Sequence, residues 1–97
     1  MPYEILLAPE AVEDLKLLRA YDRAQVKDAL EKHLRHQPTR TSRSRIKRLR
    51  GFSRPQYRLR VGELRVFYDV IESRVEVLAI IPKPNAGKWL EREGTGS

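Results

Sequence analysis

The sequence predicts an α+β fold: a small antiparallel sheet with an N-terminal αα-hairpin packed on one face. In the second half, three segments typical of strands, YRLRV, LRVFYDVI and RVEVLAII, are separated by two-residue turns. In the first half, apolar residues recur every three or four positions over two segments, which is typical of amphipathic helices. The predicted order is β-α-α-β-β-β, with residues 1–92 forming a single domain and residues 93–97 a flexible tail.

The N-terminal elements follow from local signals. Tyr3–Leu7 is a short apolar run without helical period, so we expect a buried strand inserted in the sheet. A first helix is predicted from Pro9 to about Ala20, because acidic residues in its first turn favour a helix N-terminus. A second helix is expected to begin at Asp22 as N-cap and to end before Pro38.

The central hairpin is defined by its turn. Gly62-Glu63 suits a two-residue type II′ turn, which pairs Arg60 with Arg65 and Arg58 with Phe67. Side chains of a strand alternate between the two faces, so these four residues share one face. The opposite face is apolar and is predicted to pack under the helices.

The last strand extends both faces. Continuing the same count across Glu72-Ser73 adds four residues to the core face, namely Val75, Val77, Ala79 and Ile81. Leu78 and Ile80 are then expected on the arginine face, with Ile80 beside Arg65. That face is predicted to be cationic with an apolar floor.

The positive charge is localised. The net charge is +7, and residues 40–65 hold ten of the 20 Lys and Arg but one acid, Glu63. A basic patch on an otherwise balanced chain indicates a polyanionic partner. Arg60 opposite Arg65 is destabilising unless an anion bridges them. The alternative is that the arginines pair with Asp69 or Glu76, which share their face toward its other end.

The composition also excludes several classes of protein. Without cysteine the chain has no disulfides or thiolate metal sites, which suits a cytoplasmic protein. No apolar run is long enough to span a membrane, and the N-terminus lacks the features of a signal peptide, so no membrane partner is expected. His33 and His36 lie on or just after the second helix and are not expected to be catalytic. We expect no metal and no cofactor.

Three stretches resemble a known family. They are LRG (Leu49–Gly51), YRLRVGELRVFYDV (Tyr57–Val70) and VEVLAIIPK (Val75–Lys83), and they resemble the RelE/ParE toxin superfamily of type II toxin–antitoxin systems. The resemblance implies the predicted element order, a toxin, and a cognate antitoxin protein as partner. It also implies one of two activities: RelE-like members cleave mRNA in the ribosomal A site, and ParE-like members poison DNA gyrase.

The residues of RelE-like activity map onto five positions. Arg58 and Arg60 match the basic residues of the middle strands, and Arg65 matches the hairpin arginine. Lys83 lies where a terminal basic residue, commonly arginine, is expected. Trp89 lies where the family has a tyrosine, and an indole cannot exchange a phenolic proton.

These basic residues suit metal-independent cleavage, in which the ribose 2′-OH attacks the adjacent phosphate. Arg65 would hold phosphate oxygens bidentately, and Arg58 and Arg60 would orient the backbone. Lys83 would transfer the proton, because clustered positive charge lowers the pKa of a lysine. Catalytic roles are therefore predicted for Arg58, Arg60, Arg65 and Lys83.

Other basic residues would bind RNA without reading its sequence. The predicted RNA-binding residues are Arg45, Lys47, Arg48, Arg50, Lys88 and Trp89. Trp89 would either stack on a base or pack at the edge of the core. On a ribosome the basic residues would contact rRNA as well as mRNA.

The favoured function is a ribosome-dependent mRNA endoribonuclease that inhibits translation and is neutralised by its antitoxin. An acidic antitoxin segment would cover the arginine face or add to the sheet edge. One alternative is a ParE-like gyrase inhibitor, a binding toxin without chemistry of its own. The other is an RNA-binding protein with little catalytic activity.

Overall fold

The computed structural model describes residues 1–96, which form five strands and three helices. The elements are, in chain order, β1 (Glu4–Leu7), α1 (Pro9–Leu17), α2 (Ala20–Ala29), β2 (Ile46–Arg48), β3 (Tyr57–Val61), β4 (Leu64–Ile71), β5 (Arg74–Pro82) and α3 (Lys83–Glu93). A π-helical turn, Leu30–Leu34, continues α2. The α+β class is confirmed, and α3 was not predicted.

The sheet is mixed, with strand order β1-β5-β4-β3-β2. Strands β3 to β5 pair antiparallel, as predicted, and the additional strand β2 pairs antiparallel with β3. The expectation that the first strand is inserted was wrong, because β1 lies at the edge and pairs with β5 alone, in parallel. The whole helical hairpin and three strands separate β1 from β5, and such a long connection allows parallel pairing.

The register of the central hairpin is confirmed. Arg60 pairs with Arg65, Arg58 with Phe67 and Tyr57 with Tyr68. Gly62 has a φ of +57°, which a type II′ turn requires at its first central position and which glycine adopts without strain.

A β-bulge overturns the predicted alternation in β5. The register shifts between Phe67 and Tyr68, so that Phe67 pairs with Ala79 whereas Tyr68 pairs with Val77. Leu78 is the extra residue of the bulge, so the side chains of the β5 residues after it lie on the opposite faces of the sheet from those predicted. Ile80 therefore packs in the core under α1 and α2, and Ala79 and Ile81 lie on the arginine face.

Helices α1 and α2 cover one face of the sheet, as predicted. Ala11 and Val26 are fully buried there against the strand residues Leu59, Val66 and Val77. Helix α2 begins at Ala20, not at the predicted N-cap Asp22, which instead lies in the first helical turn.

The other face is covered in part by α3. The Trp89 ring stacks on Phe67 with 4.8 Å between ring centroids, and both side chains are buried with Leu78, Ala79 and Ile81. Periodic apolar residues at Ala86, Trp89 and Leu90 explain why this segment is an amphipathic helix. The arginine face is therefore covered in part by α3.

The C-terminal residues are partly tied to the sheet. The Thr95 amide donates to the Arg54 carbonyl at 2.8 Å, and the Thr95 carbonyl accepts from the Ser53 amide at 2.8 Å. Glu93 ends α3. The flexible tail over residues 93–97 stays a prediction, in which Glu93 belongs to α3 and Thr95 bonds to the loop before β3. Ser97 lies outside the described residues. Within residues 1–96, no helix has the length and apolar character needed to cross a membrane.

Candidate anion-binding site

Arg58, Arg60 and Arg65 lie together at the Gly62 end of the β3–β4 hairpin, on the face that α1 and α2 do not cover. Arg60 and Arg65 are direct cross-strand partners, and Arg58 precedes them on the same face of β3. We call these three residues the arginine cluster. Its position follows from strand alternation and the turn, both of which the sequence predicted.

Arg65 differs from its predicted role. Its side chain is 7% exposed, and its Nη1 donates to the Gly62 carbonyl at 2.9 Å and to the Leu64 carbonyl at 3.0 Å. Because one terminal nitrogen binds the turn, a bidentate grip on phosphate through both terminal nitrogens is not available in this conformation. Arg65 stabilises the turn through these two hydrogen bonds and places a buried positive charge next to it.

Arg58 is half-buried and incompletely bonded. Its Nη2 donates to the Ser44 carbonyl at 3.1 Å, whereas its Nε is buried without a hydrogen-bond partner. Burial, followed by the charges of Arg65 and Arg60, lowers the pKa of the Arg58 guanidinium from its usual value. A buried donor without a partner is costly.

The acids that could have neutralised the cluster are bound elsewhere. Arg54 binds Asp69 at 3.3 Å and Glu76 at 2.7 Å. Asp69 also accepts the Gln56 amide at 2.8 Å. Within residues 1–96, no ion pair involves a member of the arginine cluster. The structure therefore favours uncompensated positive charge over internally paired arginines.

Lys83 lies beside the cluster. Its amide donates to the Glu63 carbonyl at 2.8 Å, which fixes the start of α3 against the hairpin turn. Its neighbour Pro82 pairs with Leu64, next to Arg65. The side chains of Lys83 and Arg60 are exposed and can reach a ligand.

Trp89 is part of the core edge. The side chain is 4% exposed, and its Nε1 donates to Glu10 Oε2 at 2.7 Å. Both ring contacts, to Phe67 and to Glu10, are intramolecular. In this conformation the indole packs at the core edge, which is the second of the two predicted positions. Stacking of Trp89 on an RNA base stays a prediction.

The remaining predicted RNA-binding residues do not form one surface. Lys47 pairs with Arg58 and shares the face of the cluster. Arg48 points to the other face, where its guanidinium lies 5.1 Å from the Tyr57 ring centroid. Arg45 lines a pocket with Arg60 and Gly62. Arg50 and Lys88 are exposed, on the loop after β2 and on α3.

Sequence reasoning missed three features of this region. The hydrogen bond from Trp89 to Glu10 and the ion pairs of Arg54 join distant segments that no local pattern connects. The amphipathic pattern of α3 was a signal that could have been found. Among residues 1–96, no group of three His, Asp or Glu side chains could hold a metal ion.

Residues 5–83 match the family model described as the ParE toxin of the type II toxin–antitoxin system parDE. The chain is therefore a toxin of a type II toxin–antitoxin system. The chain belongs to this family, which confirms its resemblance to the RelE/ParE superfamily.

Several solved structures share this fold. The toxin–antitoxin complex RelBE2 from Mycobacterium tuberculosis matches with a TM-score of 0.70 and 24% identity, over 84% of this chain and 99% of that one. The RelB–RelE complex from Methanococcus jannaschii matches with a TM-score of 0.65 and 21% identity, over 87% and 96%. The YoeB dimer from Staphylococcus aureus matches with a TM-score of 0.62 and 19% identity, over 81% and 94%. Comparison with curated proteins gave no significant match.

Proposed function

We propose that this toxin is a metal-independent endoribonuclease that cleaves ribosome-bound mRNA and thereby inhibits translation. The proposal depends above all on the arginine cluster, whose positive charge has no acidic partner within residues 1–96. Phosphodiester oxygens are the natural ligands for such a cluster, because each carries negative charge and accepts hydrogen bonds from guanidinium groups.

The residues take different parts in this proposal. Arg60 and Lys83 are exposed and would contact the scissile phosphate directly. Arg58 would add its positive charge from the half-buried side of the cluster, where its Nη2 binds the Ser44 carbonyl. Arg65 would act through its positive charge, which lies buried in the sheet and stabilises the negative charge that develops in the transition state.

Proton transfer limits the reaction. The 2′-OH must lose a proton as it attacks phosphorus, and the 5′-oxygen must gain one as it leaves. Lys83 is an exposed amine beside the cluster, whereas Trp89 is buried and has no exchangeable phenol. Cleavage of free RNA would therefore be slow, and the ribosome would accelerate it by holding the substrate in line.

We also propose a cognate antitoxin as partner, since the similar RelE and YoeB structures include toxin–antitoxin complexes. An acidic antitoxin segment that contacts Arg60 and Lys83 would neutralise the charge that RNA requires. Binding of the antitoxin and of RNA would then exclude each other.

A ParE-like inhibitor of DNA gyrase is the second candidate. Two observations favour it: the matching family model is that of ParE, and burial of Trp89 leaves the family's tyrosine position without a reactive group. In this case the arginine cluster would bind a partner and perform no chemistry.

Primer extension on translating ribosomes separates the two candidates. The wild type should produce discrete mRNA cuts with 2′,3′-cyclic phosphate and 5′-OH ends. Arg60→Gln should reduce cutting strongly, whereas Arg74→Gln, an exposed charge change at the β4–β5 turn, should have no effect. Intact mRNA together with loss of gyrase supercoiling activity would instead establish the ParE-like function.

A further inference from the structure

A second basic pocket lies beside the π-helical turn at the end of α2. It has a volume of about 300 Å³ and is lined chiefly by Lys32, His33, His36, Arg40, Ser42 and Arg45. We call it the histidine pocket. Its volume lies at the lower end of the range for small-molecule sites, about 300–1,000 Å³. Single π-helical turns within α-helices frequently occur at functional sites.

Local hydrogen bonds shape the loop that closes the pocket. Ser42 Oγ accepts the Arg45 amide at 3.0 Å and the Ile46 amide at 3.3 Å, which folds the loop into β2. Arg40 Nη1 donates to Gln37 Oε1 at 3.0 Å, at the other side of the loop. The backbone of Arg45 is therefore fixed at the wall of the pocket.

The pocket is electropositive. Burial, then the charges of Arg45 and Lys32, lower the pKa of His33, and Asp28 acts in the opposite direction. Glu31, the acid next to Lys32, is bound by Arg35. Within residues 1–96, neither Lys32, Arg40 nor Arg45 forms an ion pair.

Arg45 connects this pocket with the arginine cluster. It lines the histidine pocket on one side, and on the other a pocket of about 270 Å³ that includes Ser44, Arg60 and Gly62. A third pocket, of about 220 Å³, contains Lys32, His33 and Gly62 together with Arg45, and one acid, Asp28. Basic side chains that outnumber this acid thus line the surface from the end of α2 to the hairpin turn.

We propose that the histidine pocket is a second phosphate subsite, which binds a phosphodiester of the same RNA strand that reaches Arg60. The ring nitrogens of His33 and His36 and the charges of Lys32, Arg40 and Arg45 would bind the phosphate oxygens. The inference rests on the proposed function for the identity of the polymer. RNA suits this arrangement better than an acidic peptide, because its charges recur at each nucleotide and Arg45 links two pockets in a row.

Titration of the histidine ring protons by NMR tests the subsite. Inorganic phosphate should raise the pKa of His33, because a nearby anion favours the protonated imidazole. A short 2′-O-methyl RNA, which cannot be cleaved, should do the same at much lower concentration, since it also binds the arginine cluster. Lys32→Gln and His36→Gln should each weaken RNA binding about two- to fivefold, the range for one exposed charged contact, and Arg74→Gln should not.

Three results would overturn the proposal. The subsite is excluded if neither phosphate nor RNA changes the titration of His33. It is also excluded if Lys32→Gln and Arg74→Gln weaken RNA binding equally. An acidic peptide that shifts His33 as strongly as RNA would assign the pocket to a protein partner. The binding assay with 2′-O-methyl RNA does not depend on cleavage. The subsite can therefore be confirmed even if primer extension shows intact mRNA, and it can be excluded even if primer extension shows mRNA cleavage.

Discussion

Replacement of Trp89 by alanine distinguishes a structural tryptophan from an RNA-stacking one. The ring is 4% exposed, stacks on Phe67 at 4.8 Å and donates to Glu10. Truncation of a buried aromatic side chain costs about 3–5 kcal/mol. We therefore expect Trp89→Ala to lower the free energy of unfolding by about that amount and to loosen α3 from the sheet.

The matched variant is Trp89→Phe, which keeps an aromatic ring against Phe67 but removes the indole N–H. The Glu10 carboxylate is exposed, so water can replace the lost donor. We expect a loss of about 1–2 kcal/mol for this variant, from the smaller ring and the missing hydrogen bond.

Urea unfolding measures stability, and binding of 2′-O-methyl RNA under folding conditions measures function. If the account is correct, Trp89→Phe retains nearly full RNA affinity despite its lower stability. Loss of RNA affinity in Trp89→Phe, or a Trp89→Ala protein as stable as the wild type, would refute the packing role.

Three further changes test individual parts of the fold. Tyr68→Phe removes the donor to the Pro38 carbonyl at 2.6 Å and should cost about 1–3 kcal/mol in urea unfolding, because the buried carbonyl loses its partner. Gly62→Ala should lower the free energy of unfolding by about 1–2 kcal/mol, since a φ of +57° is unfavourable for alanine. The added Cβ would meet no atom within 4 Å, so the cost would come from the backbone alone. An unchanged stability would show that the turn adopts another conformation. Burial raises the pKa of Asp69 above 3.8, so the folded state binds its proton more tightly than the unfolded state. Its contribution to stability should therefore fall as the pH rises from 3.8 through the folded-state pKa. In Asp69→Asn the unfolding free energy should depend less on pH over that interval than in the wild type. An equal pH dependence in the two proteins would argue against this role of Asp69.

The hairpin could be predicted because its determinants are local. Alternation and the Gly62 turn fix the partners of Arg58 and Arg60, and the structure has the same pairs. The same count failed in β5, because a single extra residue at Leu78 reverses the faces and no local signal marks it. The edge position of β1 also depends on contacts between distant segments.

The position of the candidate site in the sheet could be predicted, but the burial and hydrogen bonds of its residues could not. Sequence alone placed Arg65 on the correct face, but its hydrogen bonds to the Gly62 and Leu64 carbonyls depend on the exact turn geometry. In the same way, the ion pairs of Arg54 decide that Asp69 and Glu76 leave the cluster uncompensated. These contacts join residues that are far apart in the sequence.

The salt dependence of RNA binding tests the central claim most directly, namely that the arginine cluster binds phosphate. For a single strand, each neutralised phosphate contributes about 0.7 to the slope of log affinity against log salt concentration. We predict that Arg60→Gln lowers the slope for 2′-O-methyl RNA by about 0.7 and that Arg74→Gln leaves it unchanged. Equal slopes for the wild type and both variants would contradict the claim.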